Sequence, residues 1–189
     1  MEDLPFIKEG EVMTYIHTHS GAKVNIEDPR PETIHMEDIA HALTFLCRGG
    51  GNTNIFFPVA RHCVYCAQEA INRGLDRVVA LACLLHDASE AYMVDLPKPI
   101  KDNLFPEYRV YEGRVLDCVY EKFIGRKLTA EELALVDEID HDLLMYDLRY
   151  LLNMDVELPK IHIELNYEFE PFEQSKEAYL KMFEELARG

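Results

Sequence analysis

The sequence predicts an all-α bundle that carries a short N-terminal β-hairpin or extended arm. From Thr33 to Ala187, apolar residues recur at three- and four-residue spacing between glycine and proline stops. The most apolar run, Val78 to Leu85, reads as a helix buried on nearly every side. Alternation of the strand kind is confined to Val12-Met-Thr-Tyr-Ile-His, ahead of a turn at Ser20-Gly21, and that stretch makes the hairpin or arm.

Each helix follows from its own signals. Asp28-Pro-Arg-Pro is loop, and Thr33 can cap a helix running to about Cys47. Ile39, Ala40, Leu43, Leu46 and Cys47 share one face of it, and Gly49-Gly-Gly stops it. A second helix starts near Pro58, a good first-turn residue, and runs to Asn72 with Gly74 as its terminator. Val59, Cys63, Cys66 and Ala70 form its inner stripe. The central helix is expected from Asp76 to about Tyr92, after which Pro97 and Pro99 enforce a loop. Glu107 to Phe123 is amphipathic and ends at Gly125. Thr129 opens a further helix to about Asn153, with Glu132 completing a capping box. Leu158 to Pro171 is irregular, and Gln174 to Ala187 is the last helix. The 189 residues read as one domain, with an arm over 1–30, a helical core over 31–155, and a C-terminal loop and helix over 156–189.

Composition excludes several classes of function. A net charge of -16 opposes bulk binding to nucleic-acid polymers or anionic membranes, though a small phosphorylated substrate could bind at a local cationic site. The Val78–Leu85 run is far too short to span a bilayer, and acidic Met1-Glu-Asp-Leu-Pro does not resemble a signal peptide, so a cytoplasmic protein is expected. Five cysteines do not make a disulfide framework. Cys63 and Cys66 form a CxxC without a second pair, which reads as two small apolar residues on an inner helix face.

Chemistry concentrates at the end of the central helix. An apolar lead-in that should bury its surroundings finishes in His86-Asp87, with Glu90 one turn on and Asp95 just after. Buried carboxylates and imidazoles are costly unless paired or bound to a metal, so these groups need a common partner. His62 sits one residue from the inner stripe of its helix. Asp140 falls on the stripe of Leu133, Val136, Leu143, Leu144 and Leu151, whereas Asp142 shares a face with Glu138 and Arg149 and is expected to point to solvent. Two imidazoles and two carboxylates, His62, His86, Asp87 and Asp140, make a plausible shell for a divalent ion.

Three segments carry a resemblance: Phe57-Pro-Val-Ala-Arg-His62, Ala82-Cys-Leu-Leu-His86-Asp87-Ala-Ser-Glu90-Ala-Tyr-Met-Val-Asp95-Leu-Pro-Lys-Pro-Ile-Lys101, and Asp140-His-Asp-Leu-Leu. They resemble the HD-domain metal-dependent phosphohydrolases, closest to the bacterial 5'-deoxynucleotidases and phage dATP triphosphohydrolases, over roughly Gly21 to Leu152. The resemblance implies an HD-domain helical bundle holding Co, Mn, Zn, Mg or Fe on the same four residues. It implies Glu90 and Asp95 as the groups that handle the attacking water and the leaving group, and Arg48 as a phosphate ligand. Lys98 and Lys101 are weaker substrate-binding candidates in the proline-containing loop. The activity implied is a 5'-nucleotidase on (deoxy)nucleoside monophosphates, with a dNTP triphosphohydrolase or a non-catalytic nucleotide-binding module as alternatives and a homo-oligomeric state expected. One departure stands out: the deoxynucleotidases follow that Arg with a Trp that helps read the sugar, and here Gly49 follows. Ribose tolerance, or another discriminator such as Phe56 or Phe57, stays open. The glycines are no phosphate loop, because no Gly-Lys-Ser/Thr follows. An amidohydrolase-like barrel built on His17 and His19 would need about 250 residues of alternating strands and helices, so those histidines read as hairpin-face residues.

Overall fold

The long apolar run of the central helix organises the molecule. In the computed structural model, which describes residues 15–188, this run forms α3 (Arg77–Leu85), and every residue from Val79 to Leu85 is buried. Asp76 caps it by accepting from the Val78 N–H at 2.7 Å. Against α3 pack α2 (Val59–Asn72), α6 (Pro106–Phe123), α7 (Ala130–Leu151) and α8 (Phe172–Ala187). Tyr179 of α8 is fully buried and donates its hydroxyl hydrogen to the Leu84 carbonyl at 2.9 Å, so the C-terminal helix is pinned to the central one. Burying a leucine such as Leu84 or Leu85 contributes about 1.5–3 kcal/mol, which is what holds the polar end of α3 in place.

Among the described residues the fold is all-α apart from one antiparallel pair, β1 (Ile16–His17) and β2 (Lys23–Val24), with Ile16 opposite Val24. Residues 12–14 of the alternating stretch, and the acidic N-terminal run, lie outside the described residues. The hairpin is tied to α1 (Met36–Phe45) through buried Asp38, which accepts from the Ser20 N–H and from the hydroxyls of Thr18 and Ser20, each at 2.7 Å. His17 faces outward on β1, and the His19 ring stacks on His41 at 3.8 Å between centroids. No described helix is long and apolar enough to cross a membrane.

Several boundaries differ from the sequence reading. Thr33 does not cap α1. It closes a 3-10 turn over Pro31–Thr33, donating to the Arg30 carbonyl at 2.8 Å, and α1 starts after His35. The central helix does not run unbroken to Tyr92. After Leu85 the backbone tightens to bonds three residues apart, Ala88 N–H to Leu85 O and Glu90 N–H to Asp87 O, both 2.9 Å. It resumes as α4 (Glu90–Met93). Pro97 and Pro99 do not make a plain loop either. They open α5 (Lys98–Asn103), where a proline at the second helical position gives up a donor that has no intrahelical partner. The capping box at Thr129 and Glu132 is formed, with Thr129 N–H to Glu132 Oε2 at 2.8 Å and Glu132 N–H to Thr129 Oγ1 at 3.2 Å.

Candidate metal centre

Three helices deliver the site. α2 begins just after Pro58 and brings His62 inward after one turn, its side chain 1% exposed. α3 ends at His86, and the tightened turn beyond it presents Asp87. α7 carries Asp140 and, two turns on, Asp147 on the same side. His62 Nε2 lies 2.9 Å from Asp140 Oδ1, and His86 Nε2 lies 3.4 Å from that same oxygen and 3.3 Å from Asp87 Oδ2. Asp140 is 38% exposed, so the cluster opens to solvent on its side.

The tautomers decide what this arrangement can hold. His62 Nδ1 sits 3.0 Å from the buried carboxylate of Asp147, and His86 Nδ1 sits 2.7 Å from the Cys83 carbonyl. Both partners only accept, so each imidazole donates from Nδ1 and turns Nε2 inward. Two ring nitrogens then converge on one carboxylate oxygen, an arrangement satisfied by protons on the rings or by a shared metal cation. His86 Nε2 is buried and makes no hydrogen bond despite its two carboxylate neighbours. Histidines fixed at Nδ1 by an outer acceptor are the usual form of metal-ligating histidine. The donor set therefore fits a divalent ion, and His62, Cys66, His86 and Asp140 form a group whose ligand atoms all lie within 4.8 Å of one another.

The surrounding charges favour the same conclusion. Burial works against charge on His62 and His86, yet the carboxylates beside them hold both rings well above the usual imidazole range. Burial, then Asp87 and Asp95, push Glu90 well up, against the pull of Lys101 and Arg48. Burial also raises Asp95. Partial burial opposes ionisation of Asp140, but its bond with His62 and the nearby His86 ring hold it well below the carboxylate range. The histidines, Glu90 and Asp95 all gain affinity for positive charge, as expected around an acidic cation site.

Arg48 is drawn into this cluster. It follows α1 in a short 3-10 turn where Gly49 and Gly50 take the left-handed conformation, φ 61° and 60°. Its Nη1 donates to Asp87 and its Nε to Asp147, each at 3.2 Å. Burial opposes its charge and Asp147, then Asp87, outweigh that, raising its pKa well above the usual value. Left-handed backbone at residue 49 also accounts for glycine there: a side chain would cost about 1–2 kcal/mol of strain.

Lys101 is buried rather than open to a ligand. Its Nζ lies 2.5 Å from Glu112 and 3.4 Å from Glu90, so it acts on Glu90. Glu90 itself is buried and its Oε2 makes no hydrogen bond. Between Glu90 and Asp95 the backbone turns at Val94 with φ 62° and ψ 161°, an outlier for a β-branched residue. Tyr108 braces this turn by donating to the Met93 and Val94 carbonyls at 2.8 and 2.6 Å.

Sequence reasoning missed two residues here. Asp147 joins His62, Arg48 and Tyr167, whose hydroxyl donates to it at 3.1 Å. Cys66 is buried, as its place on the inner stripe of α2 predicts, but its Sγ lies 3.4 Å from His62 Nε2. Asp142 is also not simply solvent-facing: it pairs with Arg73 at 2.7 Å, alongside Glu69 and Glu138, away from the cluster.

Fold and site together define an all-helical protein with a buried His/Cys/Asp group able to hold a metal ion. No family model matches the chain. It is similar to the uncharacterized protein YfdR of Escherichia coli, 34% identical over 111 residues that cover 59% of each protein. It is also similar to an uncharacterized protein of Rhodobacter capsulatus, 33% identical over 108 residues and 55% of each. The chain thus spans less than two thirds of the length of these curated relatives.

Proposed function

We propose that this chain is a metal-dependent phosphohydrolase acting on nucleotides, a 5'-nucleotidase for (deoxy)nucleoside monophosphates. The observation that carries this reading is the convergence of His62 Nε2, His86 Nε2 and Asp140 Oδ1 next to buried Glu90 and partly buried Asp87. His62, His86, Asp87 and Asp140 would hold the ion. Once bound, it would polarise a phosphoryl oxygen and make water a better nucleophile near neutral pH.

The chain's own groups divide the remaining work. Glu90, with its raised affinity for a proton, takes a proton from the attacking water at its unpartnered Oε2. Lys101 holds Glu90 in place through Oε1. Asp95, the second acid, serves the leaving oxygen. Arg48 fixes Asp87 through Nη1 and offers its remaining N–H groups to a phosphate oxygen, a role its forked geometry suits.

A nucleotide panel on protein loaded in turn with Co, Mn, Zn and Mg tests the assignment. Inorganic phosphate released from dAMP or AMP is the expected result. Tripolyphosphate from dATP would instead identify a triphosphohydrolase on the same site. Binding without hydrolysis of any nucleotide or generic phosphate ester would identify a non-catalytic module.

A further inference from the structure

Cys66 lies four residues after His62, so both side chains leave α2 on one face, one turn apart. The thiol is 1% exposed, and it faces Nε2 of His62, the nitrogen that points into the cluster, not the Nδ1 held by Asp147. We propose that Cys66 Sγ is a metal ligand beside His62, His86 and Asp140, so that the centre selects a thiophilic ion, zinc or cobalt, over magnesium or manganese.

Ligand-to-ligand spacing supports this. With Zn–S near 2.3 Å, Zn–N near 2.05 Å and a tetrahedral angle, sulfur and nitrogen on one zinc stand about 3.6 Å apart. Cys66 Sγ and His62 Nε2 are 3.4 Å apart. The same construction puts nitrogen and carboxylate oxygen about 3.4 Å apart; His86 Nε2 is 3.4 Å from Asp140 Oδ1, while His62 Nε2, at 2.9 Å from that oxygen, would have to draw back on binding. The independent sign that these atoms await a cation is His86 Nε2, buried and without a hydrogen bond. Asp87, whose Oδ2 is 3.3 Å from His86 Nε2 and is also held by Arg48, keeps its place as a further ligand beside these four. Thiolate is a soft ligand that Zn and Co accept, whereas Mg and Mn prefer oxygen.

The inference rests on the metal reading above, and cobalt distinguishes failure of one from failure of the other. Metal-free full-length protein is titrated with Co(II), followed by absorbance and by metal analysis of the washed protein. One bound cobalt per chain with a near-ultraviolet thiolate-to-cobalt charge-transfer band is expected. That band should vanish in Cys66→Ser and persist in Cys63→Ser. Zinc affinity of Cys66→Ser should fall by more than the 10–100-fold typical of losing an outer-shell partner. Cobalt bound without the band, or a band lost only in Cys63→Ser, overturns the assignment of Cys66 and leaves the metal site standing. Failure to bind cobalt or zinc at all overturns both. Should Cys66→Ser not fold, X-ray absorption of the zinc-loaded wild type decides, by the presence or absence of a sulfur neighbour near 2.3 Å.

Discussion

Replacing Asp147 by Asn separates the charge of the outer network from its shape. The carboxylate accepts from three donors: Arg48 Nε at 3.2 Å, His62 Nδ1 at 3.0 Å and the Tyr167 hydroxyl at 3.1 Å. An asparagine placed with its oxygen toward His62 and Arg48 keeps both bonds, and its NH2 can donate to a rotated Tyr167 hydroxyl. Shape and bonding therefore survive, and what is lost is charge. Charge-assisted bonds are about twice as strong as neutral ones, so the folded state should lose roughly 1–2 kcal/mol. For a domain of this size that lowers Tm by about 2–8 °C. Without a carboxylate behind Nδ1, His62 becomes a weaker ligand, and metal affinity should fall about 10–100-fold, or about 1.4–2.8 kcal/mol. Competition against a chromophoric chelator measures the affinity, and thermal unfolding in chelator measures the stability. Tyr167→Phe, which removes one donor and no charge, should cost less on both scales. Wild-type metal affinity in a folded Asp147→Asn protein would refute the claim that this carboxylate sets the ligand.

Three further outcomes follow from neighbouring features. Asp140→Ala should abolish metal binding and activity, whereas Asp142→Ala should keep both and lose only about 1 kcal/mol, because Arg73 retains Glu69 and Glu138; chelator competition and thermal unfolding separate them, and the reverse pattern would sink the ligand set. Buried Glu69 yields a pH dependence. Burial raises its pKa, but Arg73 and His162, whose N–H donates to Oε2 at 2.8 Å, outweigh that and hold it below the ordinary glutamate range. Its contribution to stability is therefore present above the unfolded-state pKa of about 4.3 and fades as pH falls through the lower folded value. Glu69→Gln should be less stable at neutral pH yet lose less than wild type between pH 5 and 3, as read by urea titrations at each pH. Val94→Gly should stabilise the protein by about 1 kcal/mol, since relieving roughly 1–3 kcal/mol of strain outweighs the entropy of glycine at an exposed position; a lower Tm than wild type would show that the turn is not strained.

The helices were legible wherever a single local signal decided them. Pro58, Gly74, Asp76, Gly125 and the Thr129–Glu132 box each act within one turn, and the structure uses all of them as stops or caps. Hydrophobic period is a poorer guide where a helix changes its winding without changing direction. His86 and Ser89 keep right-handed helical angles while their neighbours bond three residues apart, so apolar spacing gave no sign of the break. Prolines misled at α5 because their effect depends on position, forbidding a helix interior but suiting its first turn. In the site, the helical phase that selected Asp140 equally selects Asp147, seven residues on and four from both Leu143 and Leu151. Cys66 and Lys101 were not legible in that way. Whether a buried cysteine meets carbon or nitrogen, and whether a lysine meets solvent or Glu90, depends on which helix lies opposite.

The two histidines are fixed by different means, and the difference locates where the centre can be tuned. His86 is set by a carbonyl three residues back in its own helix, so its orientation is a local property of α3 and holds whenever that helix forms. His62 is set by Asp147, and Asp147 in turn meets Arg48 from the turn after α1 and Tyr167 from the irregular segment before α8. That segment is anchored a second time near α2, where Arg61 donates to the Glu168 carbonyl at 2.7 Å and the Tyr65 hydroxyl donates to the Asn166 carbonyl at 3.1 Å. A change in this strap would thus reach a bound ion through Tyr167 and Asp147 without touching a ligand. A change at α3 would reach a bound ion through the helix that carries His86. The stretch of sequence with the least regular structure is consequently the part of the fold best placed to adjust metal affinity.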